Sequence, residues 1–205
     1  TGVQTCALPI FGAVDVNVAE LGIDFLISSA NKCIQGVPGF SFIIARREAL
    51  TATEGSARTI SLDLHSQWKT MEKDHGKWRF TSPTHVVAAF AQALKELQQE
   101  GGVTVRGERY AATNRKLREG MRALGFEPFV SEAFQGPIIT TFLYSEGRNL
   151  DFKHMHHWLK EQGYVIYPGK LTDRDTFRIG NIGEIYDADA DRLLELFAQY
   201  TKEFM

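Results

Sequence analysis

The chain has 205 residues, is 43% hydrophobic and 23% charged, and carries a formal net charge of -2. That composition is that of a globular protein long enough for one large domain or two small ones. Acids and bases are spread evenly, with no basic block, so nucleic acid and anionic membrane are poor partners for it. Its longest apolar runs, such as Phe40 to Ala45, are far too short to span a bilayer, and Cys6 and Cys33 make no disulfide framework.

Thr1 to Ile10 has neither the basic start nor the apolar middle of a signal peptide, and it runs abruptly into a well-patterned segment at Phe11. Phe25-Leu26-Ile27, closed by Ser28 to Asn31, predicts a buried strand. Gln35-Gly36-Val37-Pro38-Gly39 predicts a turn. Phe40 to Ala45 predicts a second buried strand, with Arg46-Arg47-Glu48 as its solvated exit. Periodicity is weak over 51 to 80, where Leu62 to Met71 fits a helix.

Ser82-Pro83 predicts a helix start, Ser82 as N-cap and Pro83 at the first helical position. Val86, Val87, Phe90, Ala93, Leu94 and Leu97 follow at helical spacing until Gly101-Gly102. A second helix is predicted over Val103 to Leu124. Beyond Gly125 the pattern predicts a strand over Ile138 to Tyr144, a helix over Phe152 to Gln162, strands over Tyr164 to Tyr167 and Thr176 to Ile179, and a last helix over Asp189 to Phe204. The division expected is a partial large α/β domain over 11–110 and a small α+β domain over 111–205.

Three places could carry chemistry. Lys32 follows a buried strand among small residues, ahead of a Gly/Pro loop. Partial desolvation there favours the neutral, nucleophilic amine; the plainer alternative is a solvated lysine at a strand end. Thr81, at the head of a helix whose first backbone N–H groups are free, could hold a phosphate, although simple capping by Ser82 accounts for the same residues. Arg178 lies in an apolar strand ahead of two glycines. It suits bidentate capture of a carboxylate or phosphonate, and a structural ion pair accounts for it equally well. His154, His156 and His157 share a predicted helix, but no further ligand stands at a convincing spacing for a metal.

Taken together and in order, these segments are specific. The run Ser28-Ser29-Ala30-Asn31-Lys32-Cys33-Ile34-Gln35-Gly36-Val37-Pro38-Gly39-Phe40 resembles the Schiff-base lysine segment of the 2-aminoethylphosphonate-using branch of the class-V, fold-type I pyridoxal-phosphate aminotransferases. So do the segments from His75 to His85, from Tyr164 to Lys170 and from Phe177 to Gly183. The resemblance runs from Phe11 to the C-terminus. It implies an α/β fold: the C-terminal part of a large cofactor domain followed by a small α+β domain.

It further implies pyridoxal 5'-phosphate as cofactor, a cytoplasmic homodimer as parent, and transfer of an amino group from 2-aminoethylphosphonate to pyruvate, giving phosphonoacetaldehyde and L-alanine. By position, Lys32 is the Schiff-base lysine, Thr81 binds the cofactor phosphate across the dimer, and Arg178 holds the substrate's acidic group. Cys6 takes the place of the aspartate that pairs with the pyridine nitrogen. Residues 1–10 are accordingly expected to be a non-native leader, and the chain an inactive fragment. Other class-V reactions, of the alanine–glyoxylate or serine–glyoxylate type, and a non-catalytic dimerising module stay open.

Overall fold

In a computed structural model, residues 4–144, 147, 150–169 and 174–205 are described. The chain divides into two compact units, Thr1–Val103 and Thr104–Met205. The division falls in the first turn of a long helix, a few residues ahead of the 110/111 boundary expected above.

The first unit is built on a three-stranded sheet of β1 (Thr5–Ala7), β2 (Phe25–Ser29) and β3 (Ser41–Ala45), in that spatial order. β1 runs parallel to β2, with Cys6 opposite Leu26, and β3 returns antiparallel, with Ile43 opposite Ile27. Residues 4–10 are therefore tied into the sheet. Leu8 N–H donates to the Ile27 carbonyl at 2.9 Å, and the Ser28 hydroxyl donates to the Leu8 carbonyl at 2.9 Å.

The apolar run 40–45 does form a strand, but not a buried one. Ile43 and Ile44 are 38% and 42% exposed. β3 lies at the sheet edge, so among the described residues nothing pairs with its outer side. The predicted solvated exit is instead a short helix, α1 (Arg47–Thr51). It is set by Arg46, whose guanidinium lies 2.6 Å from the Asp24 carboxylate. The Gln4 backbone N–H and Arg46 together hold the Asp24 carboxyl below the usual carboxylate range.

Two helices follow, α2 (Leu64–Lys73), capped by Asp63, and α3 (Thr84–Glu100), stopped by Gly101 in the left-handed region at φ 113°. The start of α3 differs from the sequence expectation. Thr84 N–H donates to the Ser82 carbonyl at 2.9 Å across Pro83, whose φ of -77° and ψ of 72° are those of an inverse γ-turn. That turn keeps Pro83 out of helical ψ. Pro83 thus becomes the N-cap, and Ser82 makes no capping bond.

The second unit opens with α4 (Gly102–Ala123). A second sheet, in the order β4 (Ile139–Leu143), β6 (Thr176–Gly180), β5 (Tyr167–Pro168), is wholly antiparallel. α5 (Phe152–Glu161), capped by Asp151, and α6 (Asp187–Phe204) complete the unit. The strand expected over 164–167 shrinks to β5. Tyr164 N–H is still bonded back to the Leu159 carbonyl at 2.9 Å, closing α5. The exposed-buried-exposed pattern of Val165, Ile166 and Tyr167 only imitates strand alternation.

The core here is one aromatic-rich cluster. The Phe177 ring lies 5.4, 5.7 and 5.9 Å from those of Phe126, Phe142 and Phe197. A buried polar pin runs beside it. Asn181, fully buried, donates to the carbonyls of Tyr110 and Pro137 and accepts from Asn114. Asn114 also accepts from Arg118, which with Arg122 grips Glu132. Those two guanidinium partners pull the Glu132 carboxyl down to about 2.

Candidate active site

Lys32 lies in the connection between β2 and β3, half-buried. The backbone around it is folded by consecutive turns. Lys32 N–H donates to the Ser29 carbonyl at 3.4 Å, Gln35 N–H to the Lys32 carbonyl at 2.8 Å, and Gly36 N–H to the Ala30 carbonyl at 2.9 Å. Gln35 takes a left-handed φ of 65°, a conformation that costs energy for a residue with a side chain. Gly36 must be glycine: a Cβ there would stand 2.8 Å from the Ala30 carbonyl oxygen and 3.2 Å from the Phe90 ring. Cys33 is buried, its thiol donating to the Pro9 carbonyl. The lysine is thus presented on a rigid backbone, and among the described residues its ammonium makes no hydrogen bond or ion pair.

The same turn is fastened to the first half of α3. Phe90 packs against Phe40 and Phe42 at ring distances of 5.2 and 5.5 Å, and Phe40 meets Trp78 at 6.2 Å. Lys32 and the head of α3 are therefore parts of one body. Thr81 sits just ahead of that head, exposed, with no hydrogen bond to its hydroxyl among the described residues. Because α3 carries no side-chain cap and its Thr84 amide is taken by the γ-turn, the amides of His85 and Val86 and the Thr81 hydroxyl are the donors here suited to an anion.

Arg178 belongs to the second unit, on β6, half-buried. Its Nε donates to the Pro168 carbonyl at 3.0 Å, and its guanidinium lies 5.8 Å from the centre of the Tyr167 ring. Among the described residues no carboxylate pairs with it. Its two terminal nitrogens likewise make no hydrogen bond among the described residues. Tyr167 and Pro168, which frame it, were not singled out as site residues. Their only sequence signal was the Tyr-Pro-Gly run preceding the arginine strand; Lys170, which ends that run, lies outside the described residues.

Cys6 is half-buried in the middle of β1. A thiol is a weak donor and offers no fixed negative charge. His154 joins the helix pair, its Nδ1 2.8 Å from the Tyr200 hydroxyl, while His156 and His157 meet Phe152 and Glu161 of their own helix; no cluster of three metal-ligating side chains occurs among the described residues.

Lys32 thus offers an amine that an aldehyde could take up, and Thr81 with the α3 head offers donors to an anion. The family pattern of Aminotransferase class-V matches residues 9–174, which include Lys32 and Thr81. The chain belongs to the class-V aminotransferases. A 2-aminoethylphosphonate–pyruvate transaminase of Bacteroides fragilis is 60% identical over 93% of this class-V chain and 52% of its own length. The chain thus spans about half the length of the curated relatives it matches.

Among solved structures, an alanine–glyoxylate aminotransferase from a Nostoc species aligns with a TM-score of 0.83 at 20% identity, over 96% of this chain and 53% of its own. A PLP-bound phosphoserine aminotransferase from Trichomonas vaginalis aligns at 0.77 and 15% identity, over 96% and 53%. These two likenesses establish the α/β class-V fold.

Proposed function

We propose that this chain supplies the lysine and acid-binding side of a pyridoxal-phosphate aminotransferase whose full-length form transfers the amino group of 2-aminoethylphosphonate to pyruvate. The observation that carries the reading is Lys32, an amine unpaired among the described residues, on a turn that Gly36 and Phe90 hold rigid. When bound, pyridoxal phosphate supplies the electron sink for the carbon–hydrogen bond that must break. Lys32 would hold the cofactor at its aldehyde carbon until the amino donor displaces it, and the freed Nζ would take the proton from the donor carbon and return it. Thr81 and the amides of His85 and Val86 offer hydrogen bonds to a cofactor phosphate. The exposure of Thr81 supports its reaching a phosphate in a second subunit, and hence a homodimeric parent.

Arg178 takes the acidic group of the amino donor and of pyruvate in turn. The 60% identity to a relative named for 2-aminoethylphosphonate supports that donor. Cys6 does not fit as a charge partner for the pyridine nitrogen, so no alanine is expected from the 205-residue chain alone. The test is cofactor binding. Adding pyridoxal phosphate to the purified chain should raise a visible absorbance band that borohydride reduction fixes onto Lys32. The Lys32→Ala variant should show neither band nor labelled peptide. An equal band in that variant would sink the proposal.

A further inference from the structure

Arg178 and Tyr167 stand directly opposite each other across the β5–β6 ladder, so their side chains leave the same face of the sheet. The guanidinium lies 5.8 Å from the Tyr167 ring centre, within reach of the attraction between a cation and an aromatic face. Pro168, the next residue, can lend no N–H to the ladder, and as part of an edge strand it need not. Its carbonyl instead accepts from Arg178 Nε at 3.0 Å.

Arginine side chains lose considerable rotamer freedom when ordered, and a carboxylate is one strong way to hold them. Such a partner would occupy the same terminal nitrogens that a substrate needs. Here a ring face and a backbone carbonyl hold the side chain from its flank and its inner nitrogen. Neither competes for the outer fork. We propose that Tyr167 is a positioning residue: its ring fixes the Arg178 guanidinium so that the two terminal nitrogens meet a phosphonate or phosphate group in bidentate fashion. This rests on Arg178 being the acid-binding residue.

Pre-ordering of this kind tightens binding by removing the entropy lost when the arginine is fixed. A ring-to-cation contact at a partly exposed site corresponds to about a two- to fivefold change in affinity. The experiment is a titration of the 205-residue chain with 2-aminoethylphosphonate and, separately, inorganic phosphate. It follows the Arg178 Nε–H resonance, assigned by its loss in Arg178→Gln. Tyr167→Phe keeps the ring. Tyr167→Thr removes it while keeping a side chain that strands favour.

The expected result is a ring-shifted Nε–H signal in wild type and Tyr167→Phe. In Tyr167→Thr the signal moves to the position of a solvated arginine, and the Kd weakens about two- to fivefold. Unchanged signal and Kd in Tyr167→Thr would overturn the inference, even if the thermal midpoint falls, since that is the mark of a merely structural residue. If Arg178→Gln abolishes binding while Tyr167→Thr does not weaken it, the inference alone fails. If Arg178→Gln binds both anions like wild type, the reading of Arg178 fails with it.

Discussion

In the C-terminal unit Phe177 is fully buried among three other phenylalanine rings, whereas on β3 in the N-terminal unit Ile43 and Ile44 remain 38% and 42% exposed. Residues of α4, α5 and α6 pack with Phe142, Phe177 and Ile179 of the antiparallel sheet in the first case. In the second, an edge strand rich in isoleucine lies open, and Phe25, Ala49 and Leu50 form only a small buried cluster beside it. Contiguous exposed apolar surface on an edge strand invites association. The contrast teaches that the two units should differ in stability and should respond separately to substitution.

The largest effect is expected from Phe177→Ala. Removing a fully buried aromatic ring costs about 3–5 kcal/mol, and calorimetry should show the loss in the transition of the second unit alone. Coupled loss of both transitions would break the comparison. Gly36→Ala should act on the first unit. Its methyl group must displace a backbone carbonyl or the Phe90 ring, an overpacking worth about 1–3 kcal/mol. The Lys32 turn should also lose protection from amide exchange there, with the second unit unmoved.

The smallest effect is the pH dependence of the second unit. Glu132 has its pKa lowered from 4.5 to about 2, chiefly by Arg118 and then by Arg122. A depressed carboxyl contributes stability that is fully present above its unfolded pKa and is lost as pH falls through the folded one. The second unit should therefore weaken between pH 4.5 and about 2, and the Glu132→Gln variant should flatten that slope. Asp24 gives the first unit a dependence of the same sign through Gln4 and Arg46. Acid titration of the two transitions, in both proteins, checks this.

Much of the fold was legible because its signals are local. The glycines at 101, 125 and 163 mark helix ends where the structure has them, and β2, β4 and β6 follow their apolar runs. What was not legible depends on distant partners. The run 40–45 reads the same whether or not something covers it, so the exposure of β3 had no local sign. The start of α3 was misplaced because the γ-turn at Pro83 is a backbone bond that composition does not reveal. Lys32 and Arg178 could be picked out by their settings, and the resemblance gave them roles. The pairing of Arg178 with Tyr167 could not be read, since it follows from a strand register.

The γ-turn at Pro83 has one more consequence. A helix that begins at a serine or aspartate cap can be loosened by mutating, phosphorylating or protonating that side chain. The beginning of α3 is set by a backbone hydrogen bond, from Thr84 N–H to the Ser82 carbonyl, across a proline whose ring fixes φ alone, and neither has anything to titrate. Ser82 can change without moving the boundary, and the open amides at the head of the helix stay where they are across the whole pH range in which the fold survives.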